Sequence, residues 1–253
     1  SLAAARALQA DLAAWRREPD AEQQMLGILA DSAYRFSGEV SLLPPRALLI
    51  TFDDGWSDNA DYAMPELQRA GLPALMFVVA DAVGTRQPFY QERLIAGWRR
   101  GELRVNAVAE AMGLATRDAW QPRDESIGSL RELIARLEKL APEMRNELLS
   151  PFLSELDDGL RHMVDVDDLV RLQQGGVALG LHGKTHAPMT VAPDLEAELS
   201  GARAELARHL GQAGPSAESM SFPHGAFTPP IAERAHEAGY ELIFTSVPVL
   251  NPT

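Results

Sequence analysis

The feature that most constrains this chain is an apolar run that ends in two adjacent carboxylates, Asp53 and Asp54, followed by a glycine. Two acids placed directly after a buried strand are costly unless something positive compensates them. A later apolar run ends in His182 and His186. If both strand ends build one site, that site holds carboxylate and imidazole ligands for a divalent transition metal, with one carboxylate to spare. This is the side-chain set of a hydrolase.

The hydrophobic pattern predicts repeated βα units. Such repeats imply a parallel sheet or barrel with its site at the carboxyl ends of the strands, where both polar clusters fall. One apolar run is continuous, as is typical of a parallel strand buried on both faces, and Gly71 is placed to end the preceding helix. The predicted strands are 47–52, 74–79, 177–181, 219–222 and 241–245, and the predicted helices between them are 60–70, 167–174, 194–210 and 229–238.

The pattern also predicts a domain organisation. Residues 1–45 form an N-terminal helical segment, with a helix at about 2–17, and Pro44 and Pro45 stop any helix there. Residues 46–253 form the main domain, interrupted at about 84–165 by a segment with helical spacing. This insertion either lies over or beside the mouth of the barrel or adds packing helices without contacting a substrate.

Composition excludes some classes of partner. The 253 residues are 46% apolar, which is enough for a substantial core, and their formal net charge is −13. That charge argues against binding to nucleic acid or to an anionic membrane surface, and no apolar run is long enough to span a membrane. The absence of cysteine excludes disulfides and thiolate sites but leaves the compartment open. The first residue is Ser, so the lack of a targeting signal carries little weight.

Each motif has a functional and a structural interpretation. Adjacent residues of a strand point in opposite directions, so Asp53 and Asp54 share one site only where the chain turns, which Gly55 permits. One carboxylate then ligates a metal while the other acts as a base. The alternative is a polar turn before the next helix. His182 and His186 are four residues apart, which brings both rings to one face of a helix or tight loop, unless they are loop histidines with no shared role.

A third segment, Ser219–Phe227 in the numbering of the chain, also ends a strand and carries Pro223, His224 and Gly225. Its loop can present backbone N–H groups inward, as an oxyanion hole requires, or it is an ordinary βα turn.

Taken together, the three segments resemble the polysaccharide deacetylase family, the NodB homology domain of carbohydrate esterase family 4. Residues 51–55, Thr-Phe-Asp-Asp-Gly, match the first motif of that family. Residues 182–188 match the second, histidine–three residues–histidine, although Gly183 stands where the family usually has Ser or Thr. Residues 222–225, Phe-Pro-His-Gly, match the third more loosely. The resemblance covers roughly residues 45–246 without the insertion.

The resemblance implies an α/β fold, a distorted (β/α)7-type barrel that here carries a long helical insertion. It implies Asp54, His182 and His186 as ligands of a divalent metal, most simply zinc, and Asp53 as catalytic base. Two features depart from the family. Ser221 occupies the place of an arginine that orients the base, and the expected Leu–any–His segment, which provides the general acid, would fall beyond Thr253.

The protonation step is therefore open. His224 is a possible substitute for the general acid, and His162 is another candidate.

The implied activity is metal-dependent removal of N-acetyl or O-acetyl groups from a polysaccharide or amino sugar. Two alternatives stay open: removal of a formyl or acetyl group from a lipid-linked or small sugar, and a catalytically weak barrel that only binds glycan. The expected partner is a carbohydrate, whereas the oligomeric state is not indicated. Within the insertion, Trp98 or Trp120 either offers a sugar-stacking face or belongs to a helical core.

Overall fold

The structure is a computed structural model that describes residues 49–87, 89–113, 124–212 and 217–245. The predicted helix at about 2–17 and the segment 1–45 therefore lie outside the described residues. Five strands are described: β1 (Thr51–Phe52), β2 (Ala74–Val78), β3 (Val177–Leu181), β4 (Ser219–Ser221) and β5 (Leu242–Phe244). The helices are α1 (Met64–Ala70), α2 (Tyr90–Arg100), α3 (Val105–Ala111), α4 (Ile127–Leu137), α5 (Pro142–Leu149), α6 (Leu153–Leu156), α7 (Val166–Gln174), α8 (Ala202–His209) and α9 (Pro229–Glu237).

The five strands form one sheet in which every neighbouring pair is parallel. Their spatial order is their order along the chain, β1-β2-β3-β4-β5. Sequential order is that of a (β/α) barrel, whereas a doubly wound sheet reverses direction at a switch point. The predicted α/β barrel-like fold is thus confirmed, as a parallel sheet curled into a half-barrel. The described residues supply five strands of it, fewer than the seven implied by the resemblance.

Strand β2 is the centre of this fold. All five of its side chains are buried, which is the two-sided burial that its continuous apolar sequence predicts. It pairs with β3 along its whole length, from Ala74 opposite Val177 to Val78 opposite Leu181. On its other side Leu75 lies opposite Thr51 of β1. Because β2 fixes the register of both neighbours, it sets the heights at which β1 and β3 end.

Helix boundaries follow local chemistry. Gly71 ends α1 with a φ of 62°, the left-handed conformation that glycine adopts at low cost. Helix α7 begins one residue before the predicted start, because Asp165 and Asp168 form a reciprocal capping box. Two predicted helices begin with wide π-helical turns, Asn59–Ala63 before α1 and Ala197–Gly201 before α8. Hydrophobic periodicity does not distinguish a π turn from an α turn, so the sequence did not predict them.

The chain divides into two compact units, which we describe separately. Within the described residues, the first comprises 49–84 and the part of the chain from 163 to 245, and it contains the sheet with its apolar core. The second comprises Thr85–His162 and has a core of its own, built from α2 to α6 around leucines such as Leu94, Leu130 and Leu133. Both interpretations of residues 84–165, a cover over the site and packing helices alone, stay predictions. No helix in the described part of the chain is long and apolar enough to cross a membrane.

Gly180 provides a test of the sheet packing. A Cβ at this position of β3 would lie 2.7 Å from Cδ1 of Phe77 in the neighbouring strand. We expect Gly180→Ala to lower the free energy of unfolding by about 1–3 kcal/mol, because the core has no room for the methyl group. Urea denaturation measures the change. The matched control is Gly201→Ala, whose new Cβ would meet nothing closer than 3.7 Å. Equal stability of both variants would contradict this packing.

Candidate metal and catalytic site

The predicted site residues come together at the carboxyl ends of three strands. Asp53 and Asp54 follow β1, His182 follows β3, and His224 follows β4. The ring centroids of His182 and His186 are 5.2 Å apart, and those of His186 and His224 are 4.5 Å apart. The parallel sheet thus brings residues from three distant parts of the sequence to one place.

Asp54, His182 and His186 form a group whose geometry can hold a metal ion. Each offers one ligand atom, and these atoms lie within 4.8 Å of one another. Oδ1 of Asp54 is 3.5 Å from Nε2 of His182 and 3.2 Å from Nε2 of His186. Ligands about 2.1 Å from a tetrahedral zinc ion are separated by roughly 3.4 Å. The donor types and their spacing therefore fit a divalent ion of the zinc class.

Two further contacts orient these ligand atoms. Nε1 of Trp56 donates to Oδ2 of Asp54 at 3.0 Å, which leaves Oδ1 directed at the histidines. Nδ1 of His182 lies 2.9 Å from the backbone oxygen of Ser221. With the proton on Nδ1, Nε2 is the free acceptor that faces the group. Such outer contacts fix the tautomer and ring orientation of metal-ligating histidines.

Backbone strain is concentrated at the site. Asp54, His186 and His224 have φ values of 75°, 67° and 57°, and they are the non-glycine residues with positive φ in the described segments. Asp and His tolerate the left-handed region better than most residues, but each such conformation still costs stability. The turn predicted after β1 is therefore made by Asp54 itself together with Gly55, at φ 86°.

The titratable groups perturb one another. Burial lowers the pKa of His182 from 6.5 to about 4, and the neighbouring His186 contributes to this shift. Desolvation by neighbouring atoms raises the pKa of Asp53, although the residue as a whole is exposed, and the charge of Asp54 raises it further. For Asp54, burial acts to raise the pKa, but His186, His182 and the Trp56 N–H outweigh it and lower the pKa. The pKa values of the two adjacent carboxyl groups are thus shifted in opposite directions, so that Asp53 is more basic and Asp54 more readily ionised.

Asp53 lines a cavity beside the three residues Asp54, His182 and His186, which are called the metal-type group below. The cavity has a volume of about 370 Å³, and its lining includes both polar and aromatic residues. Ser221 lies in this lining, and its side chain acts on Asp53 to lower the Asp53 pKa. The position at which the resemblance leads one to expect an arginine thus carries a neutral partner of the same aspartate. The complete lining is Thr51, Asp53, Phe77, His182, Ser221, Phe222, His224, Gly225, Phe244 and Thr245.

The third segment differs in part from its prediction. Pro223–Gly225 forms a tight turn in which the Gly225 and Ala226 amides donate to the carbonyls of Phe222 and Pro223, at 2.9 and 3.0 Å. These two N–H groups are satisfied inside the turn, so they do not provide the expected oxyanion hole. What the turn does present is the exposed side chain of His224.

The remaining candidates lie in the second unit or outside the described residues. His162 belongs to that unit, where its Nε2 is 2.9 Å from both carboxylate oxygens of Asp158. Trp98 packs against the unit's leucine core and its Nε1 donates to the Glu125 carbonyl at 2.8 Å. These contacts favour the core interpretation of Trp98. Trp120 lies outside the described residues.

Sequence reasoning missed two residues. Trp56 directly follows the first motif, so its proximity was visible, but only the structure shows its bond to Asp54. Glu198 lies in the π-helical turn Ala197–Gly201 and is 4% exposed. It accepts hydrogen bonds from Lys184 and Thr185 between the two site histidines. A single glutamate within a predicted helix gives no sequence signal for that role.

Comparison with known proteins supports the resemblance. The family model described as polysaccharide deacetylase matches residues 42–113, which include Asp53 and Asp54. The candidate polysaccharide deacetylase YxkH of Bacillus subtilis is 35% identical over 49 residues, which are 19% of this chain and 18% of that protein. The chain thus matches about a fifth of the length of its curated relative. The resemblance to the polysaccharide deacetylase family is confirmed, while His182, His186 and His224 lie outside the residues matched by the family model.

Solved structures show weaker overall similarity. The deacetylase PplD of Streptococcus pyogenes, in complex with acetate, is 15% identical with a TM-score of 0.46, and the alignment covers 88% of this chain and 70% of that one. IcaB from Ammonifex degensii is 18% identical with a TM-score of 0.47, over 88% of this chain and 73% of that one.

The burial of His182 predicts its titration in the metal-free protein. We expect its ring to stay neutral down to a midpoint of about 4, against 6.5 for an ordinary histidine. Because the unfolded chain then binds a proton that the folded state does not, His182 lowers the stability of the fold as the pH falls from 6.5 towards 4. NMR titration of the ring in the presence of a chelator measures the midpoint. The urea-unfolded chain is the control, and a midpoint near 6.5 in the folded protein would show that this ring is not buried.

Proposed function

We propose that this protein is a metal-dependent hydrolase that removes an N-acetyl group from a carbohydrate. The observation that carries the proposal is the convergence of Asp54, His182 and His186 on one point, with a second carboxylate, Asp53, lining the adjacent cavity. The match to the polysaccharide deacetylase family over the first motif supports the reaction class. The geometry alone would suit several hydrolytic reactions, so the substrate class rests on the family resemblance.

Asp54, His182 and His186 would hold the metal ion. Bound there, a zinc-class ion would polarise the acyl carbonyl and lower the pKa of a water molecule. The chain itself keeps the three donors ready. The lowered pKa of Asp54 keeps its carboxylate ionised despite partial burial, and His182 is neutral because burial disfavours its protonated form. Neutral imidazole and ionised carboxylate are the states that ligation requires.

Asp53 is the proposed general base. It adjoins the metal-type group without belonging to it, and its raised pKa makes it a stronger proton acceptor than an ordinary aspartate. The Ser221 side chain lines the same cavity and acts to lower the Asp53 pKa. A neutral serine does not lower the basicity of Asp53 as strongly as an arginine at the same place would. With serine in this place, Asp53 keeps more of its basicity than an arginine partner would leave it.

His224 is the proposed general acid. Its ring lies 4.5 Å from that of His186 between centroids, and it lines the same cavity as Asp53. The two groups could therefore serve one substrate, with Asp53 accepting the proton of the attacking water and His224 returning a proton to the leaving amine. Two histidines line this cavity among the described residues, His182 and His224, and His224 is the one that does not belong to the metal-type group.

A carbohydrate-binding barrel without turnover is the second candidate. The serine in place of the expected arginine favours it, because an arginine would orient the base more firmly. Acetate release from N-acetylated chitooligosaccharides distinguishes the two. An enzyme releases acetate in proportion to its concentration, whereas a binder shows saturable association with the same oligosaccharides and releases none.

Removal of any one ligand should abolish stoichiometric metal binding. We expect Asp54→Ala, His182→Ala and His186→Ala each to weaken zinc affinity by more than about 100-fold, because two remaining ligands cannot define a tetrahedral site. Metal analysis after dialysis measures retention. His209→Ala is the matched control, because that ring lies 3.4 Å from Glu205 in α8 and is not part of the group formed by Asp54, His182 and His186. Full zinc retention by His182→Ala would contradict the ligand assignment.

Asp53→Asn should separate metal binding from turnover. The amide has the same shape but cannot accept the proton, so we expect acetate release to fall by about 10²–10⁴-fold while zinc binding and the unfolding midpoint are kept. Steady-state acetate release measures the loss. Asp58→Asn, an exposed acid at the N-cap of the π-helical turn Asn59–Ala63, is the control and should retain full activity. Turnover near the wild-type rate in Asp53→Asn would remove Asp53 as the base.

A further inference from the structure

The loop between the two site histidines is held from both sides. On one side, the segment after β2 donates to its carbonyls: the Ala80 amide to Gly183 at 3.2 Å and the Asp81 amide to Lys184 at 2.9 Å. On the other side, the loop's own amides point towards Glu198. The buried part of such a loop must have its backbone polar groups paired, and here the amides of the segment after β2 and one carboxylate provide the partners.

Glu198 satisfies three donors of this loop. Its Oε2 accepts from the backbone amides of Lys184 and Thr185 at 2.7 and 3.0 Å, and its Oε1 accepts from the Thr185 hydroxyl. Glu198 is 4% exposed, so its carboxylate is largely shielded from competing water. Hydrogen bonds to a carboxylate are roughly twice as strong as those between neutral groups. A buried charge of this kind is retained only where its donors offset the cost of desolvation.

The surroundings of Glu198 fit the same role. Oε2 would lie 3.0 Å from a Cβ added at Gly183, and the φ of that glycine is 75°. Glycine is therefore the residue that lets the loop approach the carboxylate, where the related family usually has Ser or Thr. Glu198 also lies in the π-helical turn Ala197–Gly201, and π turns are rare and concentrated at functional sites.

We propose that Glu198 is a positioning residue that holds residues 183–185 in the one conformation in which His182 and His186 face the same point. It acts through the loop backbone and touches neither imidazole in the contacts described above. The inference deepens the proposed function, since the histidines it positions are the proposed metal ligands. A loop that relaxed would let the two ring nitrogens separate, and the affinity for the metal would fall even with all three ligands present.

Asp168 offers a matched control within the same unit. It is likewise a buried carboxylate, 3% exposed, and it likewise accepts a backbone N–H, that of Asp165 at 3.1 Å. Its role is to cap α7 and to pair with Arg171. Loss of either carboxylate should destabilise the fold, but only loss of Glu198 should disturb the histidine loop.

The first test compares zinc affinities by titration against a chelating indicator. We expect Glu198→Gln to weaken zinc binding about 10-fold and Glu198→Ala about 100-fold, in the range found for groups that orient metal ligands. Asp168→Asn should bind zinc as the wild type does, even where its unfolding midpoint falls. Thr185→Ala keeps both backbone hydrogen bonds and loses only the hydroxyl, so it should weaken binding by a few-fold at most. Equal zinc affinity in Glu198→Gln and wild type would overturn the proposal.

The second test does not depend on a metal. Amide hydrogen exchange in the presence of a chelator should show the Lys184 and Thr185 amides protected in the wild type and in Asp168→Asn, and exchanging at least 10-fold faster in Glu198→Gln. If the wild type bound no zinc, the proposed function would fail while this measurement still decided the role of Glu198. Unchanged protection of both amides in Glu198→Gln would show that Glu198 does not hold the loop.

Discussion

The pairing of β2 with its two neighbours is the interaction on which the rest of the structure depends. Its five buried side chains fix its place between β1 and β3, and its ladder with β3 runs without interruption from Ala74 to Val78. Parallel neighbours in register end at the same edge. Residues that follow β1 and residues that follow β3 therefore meet, although Asp54 and His182 are far apart in the sequence. The strand register brings the site residues together, and their side-chain chemistry then determines what the site can bind.

Each proposed ligand is restrained by a second contact that comes from another element or from outside its motif. The Trp56 indole holds the carboxylate of Asp54, the Ser221 carbonyl sets the tautomer of His182, and Glu198 holds the loop that leads to His186. These contacts offset the cost of the strained backbone at Asp54 and His186. A metal site requires that its ligand side chains keep their positions when the ion is not yet bound, and these contacts hold the three side chains around one point.

The separation of acid–base behaviour between Asp53 and Asp54 follows from the same arrangement. The two side chains are neighbours in sequence, yet the histidines lie against Asp54 and stabilise its charge, while Asp53 faces the cavity and the hydroxyl of Ser221. One carboxylate is thereby suited to ligation and the other to accepting a proton. The two aspartates can have different proposed roles although they are the same residue type, because their environments shift their pKa values in opposite directions.

The sequence by itself determined the fold class and the five residues of the candidate site. Continuous apolar runs followed by polar clusters predict parallel strands with functional groups at their ends, and Asp53, Asp54, His182, His186 and His224 do lie together. Only the tertiary structure decided how those residues are held. The π-helical turn at Glu198, the bond from Trp56 and the closed turn at Gly225 each depend on hydrogen bonds between side chains and backbone whose partners no sequence pattern identifies. Periodicity records which face of an element is buried, but it carries no record of which polar atom meets which.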